Sequence, residues 1–179
     1  MFARLLLLLP CLAACFNDDA FVAGDYAITV TNRTNGCNFG NWTPGDAAAS
    51  SVTITQNRND VSASVTGLGA LALEVAIGGH VFTGKVAGGT LSLNLLGTRS
   101  YSTGNCTYTY NGEIRATLDG NLLEGQLEYR AATNGNPDCA GITDCLSFQE
   151  FTGTRPQMIY NSVTAAPRVS GPSAPPTAR

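Results

Sequence analysis

An all-β fold is what this sequence predicts: an antiparallel meander of about nine strands, closed into a barrel or folded as a two-sheet β-sandwich. Three observations carry that expectation. Apolar and polar residues alternate with period two through most of the chain, the mark of half-buried strands. No window sustains a 3.6-residue apolar repeat. Only 13% of the 179 residues are charged, and Thr, Ser and Asn supply the polarity instead, which favours strands and turns over helices. The length suits one domain with a substantial core. An excess of 13 acids over 10 bases argues against a nucleic-acid partner.

The strands can be read in order. Gly24-Asp25 leads into Tyr26, Ile28 and Val30 on one face, with Ala27, Thr29 and Thr31 on the other. Val52 and Ile54 follow, then a turn at Arg58-Asn59, then Val61, Ala63 and Val65. Leu71, Leu73, Val75 and Ile77 alternate with Ala70, Ala72, Glu74 and Ala76 and read as a further strand. Gly-Gly pairs supply the positive φ angles that two-residue hairpin loops require. A loop at Gly78-Gly79 would set Ile77 opposite His80 and Val75 opposite Phe82. A loop at Gly88-Gly89 would set Val86 opposite Leu91 and Gly84 opposite Leu93.

The longest alternation runs from Cys106 through Tyr108, Tyr110, Gly112, Ile114 and Ala116 to Leu118. Its return strand has two candidate loops. Gly120-Asn121 would bring Glu113 opposite Glu128, a like-charge pair that costs stability. Asp119-Gly120 instead sets Arg115 opposite Glu124, Asn111 opposite Glu128 and Tyr110 opposite Tyr129, and is preferred. A last strand, Leu146 to Thr154, is less regular and suggests a bulge near Phe151. A flat sheet of this size would curl, and closure removes its exposed edges. The outward residues are Thr, Glu, Arg and Lys, which is not a lipid-facing band.

The N-terminus reads as an address. Arg4 precedes the apolar run Leu5–Leu12, too short to cross a bilayer, and Leu12-Ala13-Ala14-Cys15 follows. This resembles the lipobox of bacterial lipoproteins, in which the cysteine receives the lipid. The resemblance implies a signal peptide over 1–14, lipidated Cys15 with a short tether over 15–23, and anchorage in the cell envelope. With no Asp after Cys15, it implies the outer membrane. An ordinary secretory signal cut after Ala14 is the alternative. The remaining organisation is a β-domain over 24–156 and a C-terminal extension over 157–179, Pro-, Ala- and Ser-rich and disordered from about 165.

Gly24-Asp25-Tyr26, the long first loop, the Val52–Val65 hairpin and the late Phe-Thr-Gly-Thr-Arg segment at 151–155 resemble bacterial lipocalin-like, calycin-type domains. Tyr26 stands where that family usually has Trp. The resemblance implies a barrel with a ligand cavity, and a lid over its mouth in the Asn32–Ala49 loop.

Once Cys11 and Cys15 are set aside, Cys37, Cys106, Cys139 and Cys145 remain, an even set suited to an oxidising compartment. Three pairings are open. Stapling the 133–144 connection locally gives Cys139–Cys145, which leaves Cys37–Cys106. The chain has no Cys-x-x-Cys and a single histidine, His80, so neither a metal site nor a cofactor is expected.

Candidate chemistry is sparse. His80 lies beside a turn without a recognisable nucleophile context. Glu124 and Glu128 stand about 13 Å apart along one strand face, too far for a glycosidase pair. No catalytic residue is assigned and a non-enzymatic role is expected. The favoured expectation is a monomeric, membrane-anchored module binding a small apolar ligand, with Phe39, Trp42, Phe82, Tyr108, Tyr110 and Tyr129 as ligand-binding residues. The inward set adds Ile28, Val52, Val75, Leu93, Ile114 and Leu127, with Gly84, Gly112 and Gly125 leaving room for a cavity or for large neighbours. Phe39 and Trp42 serve as a lid or as a plug. The alternatives are a structural or protein-interaction envelope lipoprotein with a packed interior, or an inhibitor of a secreted enzyme.

Overall fold

Alternation becomes closure in the computed structural model, which describes residues 20–156. The strands are β1 (Gly24–Asn35), β2 (Ala47–Asn57), β3 (Asp60–Thr66), β4 (Val81–Ala87), β5 (Thr90–Leu95), β6 (Ser100–Thr103), β7 (Cys106–Asp119), β8 (Leu122–Thr133) and β9 (Leu146–Thr154), with one helix, α1 (Gly67–Ala76). Each strand pairs antiparallel with its neighbours. β1 bonds both β2 and β9, and β5 bonds β7. Eight strands thus close into a barrel, and the sandwich alternative falls. The ninth, β6, pairs only with Cys106–Thr109 of β7, beyond the Gly112–Thr117 stretch that β5 occupies. The signal segment, Cys15 and the extension from 157 lie outside the described residues.

Tyr26, Ile28, Val52, Ile54, Val61, Ala63, Val65, Phe82, Val86, Leu91, Leu93, Ile114 and Leu127 are all buried, as their parity predicts. The Arg58-Asn59 and Gly88-Gly89 turns and the β4–β5 register, with Val86 opposite Leu91 and Gly84 opposite Leu93, are as expected.

The segment expected to be a strand at Leu71–Ile77 is helix. Gly67–Ala76 is rich in Leu and Ala, strong helix formers, and its alternating small Ala positions fit either period. Leu73 and Ile77, one helical turn apart, point into the barrel and are buried. Val75, expected inward, is 61% exposed, and Leu68 and Leu71 are exposed beside it. Gly78-Gly79 is therefore the helix end rather than a hairpin. Gly78 has φ +92° and its N–H donates to Leu73 O, a glycine-type C-cap. A Cβ there would also lie 2.9 Å from Arg99 N.

The β7–β8 hairpin takes the register that charge pairing disfavoured. Asp119 pairs with Leu122, Arg115 with Gln126, Thr117 with Glu124 and Glu113 with Glu128. The loop is Gly120-Asn121, with Gly120 at φ +60°. The two facing glutamates are tolerated because each binds an arginine on its own strand: Arg115 to Glu113 and Arg130 to Glu128, both at 2.8 Å. The expected bulge near Phe151 is also displaced. β9 runs in regular register with β8, and the irregularity lies in β1 between Asn32 and Asn35.

Both disulfides differ from the expected pairs. They join Cys37 to Cys145 and Cys106 to Cys139, with Cα separations of 4.9 and 5.0 Å. Shortness in sequence was the wrong criterion. Asn35 pairs with Ser147, so Cys37 just past β1 arrives beside Cys145 just before β9. The 3-10 turn Pro137–Cys139 packs over the start of β7, where Asp138 accepts from Asn105 N and Nδ2. That contact brings Cys139 to Cys106.

Closing loops spanning 108 and 33 residues is worth about 4–5 and 3–4 kcal/mol in the chain-entropy picture. Non-reducing peptide mapping should recover Cys37 linked to Cys145 and Cys106 linked to Cys139. The double substitution Cys37→Ser with Cys145→Ser should lower unfolding stability by about 2–5 kcal/mol.

Candidate functional site

The barrel has two unlike ends. One carries the turns at 58–59, 88–89 and 120–121 and is sealed by residues 20–23. Val22 is fully buried, its N–H donating to Gln56 Oε1 at 2.7 Å while its carbonyl accepts from Tyr26 Oη at 2.8 Å. The Arg155 guanidinium lies 5.9 Å from the centre of the Tyr26 ring and donates to Ala23 O at 2.9 Å. Arg155 thus clamps the entering chain by a cation–π contact and a charge-assisted hydrogen bond. Residues 20–23, expected to belong to a tether, are part of the barrel.

The other end carries the 36–46 loop, α1, the 96–105 connection and the 134–145 loop. Strand pairing runs into the expected Asn32–Ala49 loop from both sides, so the loop proper is shorter than predicted. Aromatic rings fill part of this end. Phe39 packs on Tyr110, Tyr129 and Trp42 at centroid distances of 4.6, 5.3 and 5.7 Å. Tyr101 and Tyr108 extend the cluster to Tyr110. Asn35 fixes Phe39 through its backbone N–H and carbonyl, both at 2.9 Å, and Trp42 Nε1 donates to Arg33 O. Phe39 and Trp42 thus pack as a plug against the core.

Beside this plug lies a cavity of about 550 Å³. Its deep wall is apolar: Ile54, Ala63, Leu91, Leu93, Ile114 and Leu123. Toward the loop end the lining changes to Asn32, Asn41, Asp46, Ser50, Gln149 and Tyr129, with Leu68, Gly69, Ala72 and Leu73 of α1 forming the facing rim. The residues around the opening are small, and α1 approaches β2 closely there. A Cβ on Gly69 would lie 2.5 Å from Ser50 Oγ, and Ala47, Ala48 and Ala49 are exposed.

Of the six aromatics expected to bind ligand, Tyr129 alone lines this cavity. Phe39, Trp42, Tyr108 and Tyr110 belong to the plug or its extension. Phe82 is fully buried against Gly112, where a Cβ would lie 2.9 Å from its ring and 3.2 Å from Ile77 Cδ1. The inward glycines accommodate neighbours rather than opening space: a Cβ on Gly84 or Gly125 would collide with the adjacent strand. The mouth residues went unrecognised in sequence, although Ala47-Ala48-Ala49-Ser50 and the Gly69–Ala72 stretch carried the signal of small side chains. His80 lies off the cavity lining, with Nδ1 against Glu74 Oε1 at 2.5 Å.

A polar chain runs along the cavity wall. Tyr129 Oη donates to Gln149 Oε1 at 2.8 Å, and Gln149 Nε2 donates to Asn32 Oδ1 at 2.7 Å. Burial holds the Tyr129 phenol protonated well above the ordinary tyrosine range. Burial, then the neighbouring Tyr108 and Tyr101, push Tyr110 up to about 12. Unfolded tyrosine ionises near pH ~10, so the unfolded chain loses these protons first. The stability they support is complete below about pH 10 and falls as pH rises toward about 12. Denaturant midpoints measured across that range should drop, with phenolate absorbance rising together with unfolding.

No protein-family model matches this chain, and no match is found for it among curated proteins or solved structures.

Proposed function

We propose that this chain is an exported, lipid-anchored and non-enzymatic barrel that binds a small apolar molecule in its interior. The observation that carries the reading is the cavity of about 550 Å³ with its apolar depth and single polar rim. Ligand sites commonly occupy about 300–1,000 Å³ and are mostly apolar, with a few placed polar groups. A packed interior, on which the structural or interaction alternative rests, has no use for such a volume.

Binding is favoured over catalysis because Asp46 is the one acid in the cavity lining and has no His, Lys, Arg or second acid beside it there. His80 is paired with Glu74 outside the lining, and Glu113 and Glu128 hold arginines on the outer face. Two disulfides suit an oxidising, exported setting. The lipocalin-like reading rests on the closed antiparallel barrel together with the Gly24–Tyr26 and Phe151–Arg155 segments. Anchorage, and with it an outer-membrane address, rests on Leu12-Ala13-Ala14-Cys15. Several acyl chains hold a protein on a bilayer where one does so only reversibly.

Two substitutions test these parts separately. Ala48 is exposed at the mouth, so Ala48→Trp should block entry without disturbing the core. It should weaken binding of a neutral fluorescent apolar probe by about tenfold, on the order of 1.4 kcal/mol, while the thermal midpoint stays within a few degrees. Equal probe binding by Ala48→Trp and the parent would refute the cavity as the site. Cys15→Ser should shift the protein from the membrane to the soluble fraction, and retention on membranes would refute the lipid anchor.

A further inference from the structure

The binding reading leaves open what kind of molecule enters, and the charge pattern of the lining addresses it. Among the residues that line the cavity there is one charged side chain, the Asp46 carboxylate, and no Lys, Arg or His. Every polar lining group, namely Asn32, Asn41, Asp46, Ser50, Gln149 and the Tyr129 hydroxyl, sits toward the loop end, and the opposite end is wholly apolar. The lining is therefore graded along its length, from an apolar depth to a polar rim.

Resting on the binding reading above, we propose that the ligand is a single-tailed amphiphile whose head is uncharged or cationic, and that the site discriminates against free carboxylic acids. A carboxylate head would meet the exposed Asp46 at the rim with no cation in the lining to offset the repulsion, an interaction of partly screened charges. An ammonium head gains the Asp46 attraction, and a hydroxyl head gives up little solvation at a rim of amide and hydroxyl groups. No arginine lines the cavity, and those of the loop end are held by other groups, Arg130 by Glu128 at 2.8 Å. Arg33 binds Glu150 at 2.7 Å, and Arg99 lies 5.9 Å from the centre of the Tyr101 ring.

The polar chain in the wall sharpens the preference. Tyr129 spends its proton on Gln149, whose amide in turn donates to Asn32. The Tyr129 oxygen keeps a lone pair free, so this wall offers an acceptor to a head group that donates. A carboxylate donates nothing and a hydroxyl or ammonium does.

The test is displacement of the neutral probe N-phenyl-1-naphthylamine from the folded protein by three compounds of equal chain length: dodecanol, dodecylamine and dodecanoate. Dodecanol and dodecylamine should displace it at concentrations about tenfold below dodecanoate, a gap consistent with one partly screened charge. The amine-to-carboxylate ratio should shrink about threefold or more in 1 M salt, where exposed charges are screened within ~3 Å, and by a similar factor in Asp46→Asn. Probe displacement by dodecanoate as readily as by dodecylamine would overturn the head-group rule while leaving the cavity as a binding site. Failure of the probe to bind at all would overturn both.

Discussion

Closure of the sheet is the constraint from which the other features descend. β1 bonds β9 while β5 bonds β7, so the eight barrel strands leave no open edge and their backbone donors and acceptors are satisfied by one another. Closure also fixes which side chains face inward, because a one-residue slip in any strand would turn its whole apolar set to solvent. The disulfides are consequences of the same geometry. Cys37 reaches Cys145 because Asn35 already pairs with Ser147, and the covalent bond secures an approach that the strand register had made.

The interior is divided rather than uniformly filled. Phe39, Trp42, Tyr110 and Tyr129 take up one part of the loop end, and Ile77 and Phe82 meet over Gly112. The neighbouring part is open, and small residues stand around it where β2 passes close to α1. Tyr129 belongs to both regions: its ring packs on Phe39 and Trp42, and its hydroxyl begins the polar chain of the cavity wall. The aromatic cluster thus braces the site without occupying it.

Much of this architecture was legible in the sequence, and the departures have local causes. β1, β2, β3 and the β4–β5 hairpin follow from alternation and from turn residues with positive φ. The Leu71–Ile77 segment misleads because small Ala70, Ala72 and Ala76 alternate with large residues as in a strand, whereas the helix buries only Leu73 and Ile77 of that set and leaves Leu71 and Val75 exposed. The β7–β8 register misleads because cross-strand charge rules consider only the residue opposite, whereas Glu113 and Glu128 are each neutralised two residues along their own strand. The cysteine pairing misleads because chain separation says nothing about which loops meet over a closed barrel. Aromatic residues drew attention to the plug, and the mouth, built of Ala, Ser and Gly, offered no conspicuous side chain.

The chain passes into the barrel at the end opposite the mouth. Val22 and Ala23 lie in the sealed base, and four residues separate Ala20 from Cys15, a reach of no more than about 18 Å over five steps at full extension. A lipid on Cys15 would therefore keep the base of the barrel within that reach of its bilayer, at the end remote from the Asp46–Leu68 rim. A ligand of the proposed site would then enter from the side of the barrel that faces away from the anchor.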